Sequence, residues 1–311
     1  MSTFTNRQPP IRPFPDGSLV LDAPCKLNLG LHIFPPRPDG FHNLESWMVP
    51  ISWHDTLTYR VNGQTAACLK ITGQSAGIPT ELEQNLVGRA MRKLAAAAGR
   101  DLAQSGDELT LHKVVPPGGG LGGGSSDAAH ALLLLNVAWK LHWEVQKLLP
   151  LAAELGSDVP FFVHAKPALC QGRGELLTPL PPHAPLYAVL LLSPTGLATK
   201  PVYQAFDAGH RPAEGRGYAW DSWSRLSANQ LNEALLNDLE PPAFFLAPWL
   251  AELREKAARR IGQKIHMTGS GSALFTLCDS APRAAALAEQ LRDRTLGDIM
   301  SIPVRILRQR E

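Results

Sequence analysis

Residues 116–130 read Pro-Pro-Gly-Gly-Gly-Leu-Gly-Gly-Gly-Ser-Ser-Asp-Ala-Ala-His, six glycines running into a helical pattern. Glycine lets the main chain take positive φ and approach a ligand with no Cβ in the way. Successive N–H groups ahead of a helix start present partial positive charge to an anion. Such a stretch suits phosphate binding. Residues 128–139 supply the apolar helix, and Ser125 or Ser126 is placed to cap it. A Walker-type loop is excluded, because no Gly-Lys-Ser/Thr follows the glycines. Gly118, Gly120 and Gly123 formally satisfy the dinucleotide pattern, with Glu144 downstream. Glu144, however, follows Leu-His-Trp at the tail of a helical segment, where that pattern wants the end of a second strand. A flexible linker would not be bounded by Val-Val-Pro-Pro and an amphipathic helix.

Four other stretches carry residue types that do chemistry. Ala23-Pro24-Cys25-Lys26-Leu27-Asn28 puts Lys26 and Asn28 on one side of a strand. A lysine in an apolar strand is costly unless it meets an anion or keeps its head in water at a sheet edge. Asp39-Gly40-Phe41-His42 joins a common turn to an aromatic ring and an imidazole, which could stack on and hydrogen-bond a flat ring. Gly156-Ser157-Asp158-Val159-Pro160-Phe161-Phe162 places a carboxylate at a helix end, before an apolar strand. Burial would raise its pKa and a neighbouring lysine would lower it; such an acid can orient or deprotonate an alcohol, or serve as a plain turn residue. Thr268-Gly269-Ser270-Gly271-Ser272 is a second glycine-rich turn, a bare hairpin or a backbone wall against a ligand.

The elements that must hold these residues are mixed. Residues 18–34 alternate as a strand broken near Pro24, and 47–61 suggest two strands with a turn at His54-Asp55. A helix over 85–98 and a strand over 108–115 lead into the glycine loop. A helix follows over 145–155, ended by Gly156. Residues 187–192 read as a buried strand, 226–236 and 242–258 as helices, and 264–267 with 273–278 as a strand pair. A helix over 282–292, opened by a proline, and a strand over 302–307 close the chain. Without strict βα alternation, the fold class is α+β.

The 311 residues can bury a substantial core, and 44% hydrophobic with 19% charged content is that of a soluble globular chain. A net charge of +2 and scattered Lys and Arg provide no case for a nucleic-acid partner. The longest apolar runs are too short to span a membrane. Cys25, Cys68, Cys170 and Cys278 have no zinc or disulfide spacing and read as buried thiols of a reducing compartment, so a cytoplasmic location is expected. Residues 1–17, rich in proline, read as a mobile extension, and 211–224 as an insertion or surface loop.

Taken in order, these motifs resemble the GHMP kinase superfamily, and within it the branch acting on a cytidine diphosphate-linked methylerythritol. Pro24-Cys25-Lys26-Leu27-Asn28-Leu29 is similar to that branch's Pro-Ala-Lys-Ile/Leu-Asn-Leu, with Cys25 where alanine is usual. Asp39-Gly40-Phe41-His42 is similar to its base-binding turn, preceded here by a proline-rich 34–38. Lys113, residues 117–129, 155–162, Asn237-Asp238-Leu239-Glu240-Pro241 and 267–275 carry the remaining motifs.

The resemblance implies two α+β lobes with the active-site groove between them: an ATP-binding domain over 18–165 and a substrate domain over 166–311. It implies transfer of the ATP γ-phosphoryl to a hindered tertiary alcohol, by alignment and charge neutralisation more than covalent chemistry. Pro117, Gly118, Gly119, Gly120, Leu121, Gly122, Gly123, Gly124, Ser125 and Ser126 would hold the ATP phosphates, with Lys113 on the nucleotide side. Asp127 would favour the helix dipole. Asp158 would accept or orient the hydroxyl proton, and Lys26 would pair with it and keep it ionised. Asn28, Phe41, His42, Thr199, Gly269, Ser270 and Gly271 would face the substrate, with Lys200 an alternative to Thr199. Mg²⁺ would accompany ATP on ligands from the phosphates, with no protein carboxylate cage. A monomer or weak homodimer is expected. A different small-alcohol kinase of the superfamily, or an inactive nucleotide-binding relative, would satisfy part of the same pattern.

Overall fold

The computed structural model describes residues 10–63, 66–181, 183–209, 222 and 225–308. Residues 1–9 of the amino-terminal stretch, and all of 211–224 but Ser222, lie outside them. The short β1 (Arg12–Pro13) pairs with β2 (Leu19–Pro36), where the Arg12 guanidinium forks onto both oxygens of Asp22 at 2.7 and 2.8 Å. β2 and β3 (His42–Val61) form a long antiparallel hairpin joined by the Asp39-Gly40 turn, where Gly40 sits at φ +79°. β4 (Cys68–Gly73), β5 (Asp107–Lys113), β6 (Ala168–Gln171) and β7 (Leu176–Pro179) complete this sheet, in the order β1-β2-β3-β5-β4 with β6 and β7 laddering off β3.

The hairpin serves two cores: Met48 and Val49 alternate between them, and same-parity residues change core across the register shift between Pro24 and Lys26. Leu21, Met48 and Leu57 pack against α1 (Leu86–Ala98), α2 (Gly123–Ala138), α3 (Val145–Leu155) and α4 (Val159–His164). Leu27, Val49 and Ile51 pack instead against a second sheet. That antiparallel sheet contains β8 (Tyr187–Leu192), β9 (His266–Met267), β10 (Leu274–Cys278) and β11 (Met300–Arg305), in the order β11-β8-β10-β9. α5 (Thr199–Asp207), α7 (Glu240–Leu246), α8 (Pro248–Ile261) and α9 (Ala281–Leu291) bury a third cluster against it, while α6 (Ala228–Ala234) closes the shared core. A bridge at Ile51–Ile306 joins β3 to the end of β11, and one at Leu31–Asn237 joins β2 to the segment before α7. The architecture is α+β, as the mixed element order implies.

Four elements differ from the sequence expectation. β3 is one strand, not two: Asp55 is fully buried in it, and its Oδ1 accepts from the amides of Val114 and Val115 at 2.6 and 2.9 Å. A carboxylate satisfied in this way has no need of a turn. Residues 159–164 are helix rather than strand; a short, wholly buried apolar run has no periodicity to separate the two, and Pro160 suits a first turn. The expected helix over 242–258 is two helices, because Ala247 precedes Pro248 and takes φ −133°, ψ 75°. α2 begins at Gly123 with Gly122 as its N-cap, earlier than a serine cap allows.

Candidate active site

The glycine loop owes its shape to where its carbonyls go. Gly118 O accepts from Leu197 N (3.3 Å), Gly119 O from Ala273 N (3.1 Å), Gly120 O from Lys26 Nζ (2.7 Å) and Leu121 O from Lys26 N (3.0 Å). In a planar trans peptide the next N–H points opposite to the carbonyl. Four consecutive carbonyls turned into the protein therefore turn the amides of residues 119–122 outward. α2 continues the series, since Gly123, Gly124 and Ser125 precede Ser126 N, whose bond to Gly122 O (2.9 Å) is the first of the helix. Pro117, Gly118 and Gly124 are exposed along the rim. Ser125 is half-buried, whereas the Ser126 hydroxyl turns inward and donates to Pro24 O at 2.7 Å. Gly120 and Gly122 are needed as glycines: both have positive φ, a Cβ on Gly120 would lie 2.4 Å from Thr268 O, and one on Gly122 would lie 2.9 Å from the Phe162 ring. The result is an anion cradle.

Beneath it lies Lys26. The pairing of β2 with β3 slips between Pro24 and Lys26 and again between Asn28 and Gly30. Such irregularities re-aim side chains, and Lys26 and Asn28 emerge together between them. The buried Lys26 ammonium donates to Asn28 Oδ1 and Gly120 O. Asn28 Nδ2 in turn donates to Ser46 Oγ (2.6 Å), and Asn28 N to Thr268 Oγ1 (2.9 Å). Burial pushes the Lys26 ammonium down, and the nearby Asp158 charge pulls it back up. Asp158 is the half-buried N-cap of α4, and a Cβ on Gly174 would lie 3.7 Å from its Oδ1.

Within electrostatic reach of Asp158 is an aromatic cluster around His42. His42 is buried, with Nδ1 at 2.8 Å from Phe34 O; a carbonyl only accepts, so Nδ1 carries the hydrogen. Its ring faces Tyr203 (centroids 5.5 Å) and Phe206 (5.8 Å), and Nε2 stands 3.3 Å from Asp207. Phe41 is 52% exposed. Burial and then the Asp158 carboxylate push the Tyr203 phenol up, which ties this cluster electrically to Asp158. Tyr203 was absent from the sequence candidates; its spacing of four from Thr199 on a helix is the signal that places both on one face.

The second glycine turn forms the opposite wall. A Cβ on Gly269 would lie 3.3 Å from Lys26 Nζ, and Gly269 and Gly271 have φ +59° and +87°. Asn237 Nδ2 holds the turn by donating to Met267 O and Gly269 O, both at 2.8 Å. Thr199 Oγ1 meets Ser270 Oγ at 2.9 Å, so Thr199 rather than the exposed Lys200 reaches this wall. Lys113 is apart from the others: it is buried under the loop, where its ammonium donates to Asp127 Oδ2 at 2.8 Å and to Asp55 Oδ2 at 2.5 Å. Asp55, also absent from the candidates, was hidden by the His54-Asp55 pair that reads as a turn. Among the described residues no group of three His, Cys, Asp or Glu could hold a metal ion, and no helix is long and apolar enough to cross a membrane.

A loop of outward amides over a buried lysine, with a carboxylate and an aromatic cluster nearby, has the chemistry a small-molecule kinase needs. Residues 85–166 match the GHMP kinases N terminal domain and residues 221–295 the GHMP kinases C terminal domain. A 4-diphosphocytidyl-2-C-methyl-D-erythritol kinase of Pelotomaculum thermopropionicum is 38% identical over 271 residues, covering 87% of this chain and 92% of its own. The crystal structure of a 4-(cytidine 5'-diphospho)-2C-methyl-D-erythritol kinase superposes with a TM-score of 0.74 at 32% identity, over 93% of this chain and 99% of that one. The chain belongs to the GHMP kinases, and within them to the family of 4-diphosphocytidyl-2-C-methyl-D-erythritol kinases. Homoserine kinase from Cytophaga hutchinsonii, at 17% identity and a TM-score of 0.71 over 96% of this chain and 97% of its own, shares the fold.

Proposed function

We propose that this chain transfers the γ-phosphoryl group of ATP to the 2-hydroxyl of 4-diphosphocytidyl-2-C-methyl-D-erythritol, a step of non-mevalonate isoprenoid precursor synthesis. One observation carries this reading. Lys26 bonds the loop through Gly120 O and feels the Asp158 charge, and Asp158 in turn acts on Tyr203, whose ring neighbours His42.

The outward amides of residues 119–125 hold the ATP phosphates, assisted by the Ser125 hydroxyl. The half-buried Asp158 accepts or orients the proton of the acceptor hydroxyl as its oxygen bonds to the γ-phosphorus and the bridging β–γ oxygen leaves with ADP. An ammonium has three donors; Asn28 and Gly120 take two of Lys26's, leaving one for a transferring oxygen. Charge develops on those oxygens in the transition state, and a desolvated ammonium there stabilises it more than water would. Phe41 and Tyr203 enclose the cytosine while His42, with Asp207 beside its Nε2, addresses its edge. Thr199, Ser270, Gly269, Gly271 and Asn28 line the sugar-alcohol end.

Mg²⁺ accompanies ATP. Carried in on phosphate oxygens, it would supply charge neutralisation there. ADP release measured with the cytidyl acceptor, against mevalonate and homoserine as controls, tests the proposal. Turnover of a control in preference to the cytidyl acceptor would overturn it.

A further inference from the structure

Between β6 and β7 a tight turn, Gly172-Arg173-Gly174-Glu175, enters the groove. Gly172 and Gly174 have φ +70° and +118°, and the turn is closed by Gly174 N donating to Gln171 O at 3.0 Å and Arg173 N to Glu175 Oε2 at 2.6 Å. Leu44 N donates to Gly172 O at 2.7 Å, fastening the turn to β3 just past His42. Its two ends touch different parts of the site. The Arg173 guanidinium lies over the Phe41 ring, 4.9 Å from the centroid, while Gly174 approaches Asp158 Oδ1. Arg173 is half-buried, and its charge helps hold the Asp39 carboxyl below its usual value.

The cytidyl acceptor has the same layout: a base at one end, the reacting alcohol at the other, and a diphosphate between. If the base lies against Phe41 and the alcohol at Asp158, as proposed above, the diphosphate crosses the stretch that Arg173 spans. A guanidinium is always charged, and its planar fork matches phosphate oxygens in pairs. Stacking on Phe41 holds the fork in place before substrate arrives, which lowers the ordering cost of binding. The uncovered part of the Phe41 ring remains for the base.

We propose that Arg173 binds the diphosphate of the cytidyl acceptor and so selects a nucleoside diphosphate over the bare nucleoside. The inference rests on the acceptor reading given above.

The test compares cytidine and cytidine 5'-diphosphate as competitors of the acceptor, on the intact chain, in wild type, Arg173→Met and Arg173→Lys. Methionine keeps much of the length and the apolar contact with Phe41 but removes the charge. Losing charge-assisted hydrogen bonds to phosphate is expected to weaken the diphosphate about 10- to 100-fold, while cytidine changes about twofold or less. Arg173→Lys recovers part of the loss, and the KM for ATP is unchanged. Retained cytidine affinity reports an intact fold and base site. An unchanged ratio of diphosphate to nucleoside affinity in Arg173→Met would overturn the role of Arg173 alone. Failure of wild type to bind the diphosphate at all would overturn it together with the acceptor reading.

Discussion

Lys113 Nζ stands 2.8 Å from Asp127 Oδ2, so the residues on either side of the glycine loop are tied to each other beneath it. Asp55 of β3 takes a second bond from the same ammonium and holds the Val114 and Val115 amides with its other oxygen. The loop is thus anchored to strand and helix by one buried cluster, and its shape does not wait for a ligand. Both bonds of the Lys113 ammonium go to these carboxylates.

Removing that ammonium leaves two buried carboxyl groups facing each other with no cation between them. Breaking a buried ion pair by deleting one partner costs about 3–5 kcal/mol, so Lys113→Met is expected to lower stability by that much in urea denaturation. Lys113→Met with Asp55→Asn and Asp127→Asn, which leaves no uncompensated charge, should recover most of it. An unperturbed single variant would show that the cluster contributes nothing to the fold.

One ammonium cannot neutralise two carboxylates. Burial, with Asp55 adding to it and Lys113 opposing, pushes the Asp127 carboxyl up to about 8. Its unfolded value is near 3.8, so between about pH 4 and 8 the folded chain holds a proton that the unfolded chain has released. Stability from this group therefore falls as pH rises through that window and reaches its minimum above it. Asp127→Asn is expected to flatten the dependence and to stabilise the protein most at the alkaline end. Denaturation midpoints at pH 5, 7 and 9 check this; parallel curves for wild type and variant would contradict it.

Gly120 joins the two glycine turns through backbone alone. At φ +73° an alanine is strained by about 1–3 kcal/mol, and its methyl would meet Thr268 O at 2.4 Å, so the turns must part. Because Gly120 O also receives Lys26, Gly120→Ala should raise the KM for ATP and lower kcat together. A variant with unaltered kinetics and melting temperature would mean that the close approach is unnecessary.

What was legible in the chain beforehand were features whose chemistry is local. Glycines at 118–124 need no partner to announce a bare backbone, and Lys26 with Asn28 share a face whatever lies opposite. The features missed depend on pairing across the fold. Asp55 meets Lys113 from 58 residues away, and beside His54 it reads as a turn. Arg173 in a Gly-Arg-Gly turn carries no signal until the turn is brought to Asp158, and the four-residue spacing of Tyr203 from Thr199 means something only once the helix is placed there. Ser125 and Ser126 were equivalent as text; only the Pro24 carbonyl separates an inward hydroxyl from an available one.

His42 is held by its Nδ1 hydrogen on Phe34 O and by two aromatic neighbours, so its other nitrogen is presented in a fixed direction. His42→Ala is expected to raise the KM for the cytidyl acceptor about tenfold, the worth of one well-placed hydrogen bond, with little change in the KM for ATP. Equal effects on the two substrates would count against a role in base recognition.

Asp158 differs from these in that the proposed function puts it at the reacting oxygen. Asparagine keeps the shape of the carboxylate but can neither take a proton nor offset the charge of Lys26, whose ammonium responds to it. General-base catalysis is worth about 10²- to 10⁴-fold, so Asp158→Asn should lose turnover by at least that range. ATP binding, which depends on amides across the groove, should persist within about twofold by calorimetry, as expected for a group whose contribution is made in the transition state. Turnover near the wild-type rate, read as ADP released with the cytidyl acceptor, would remove Asp158 from the mechanism and leave alignment on the cradle as the whole of catalysis.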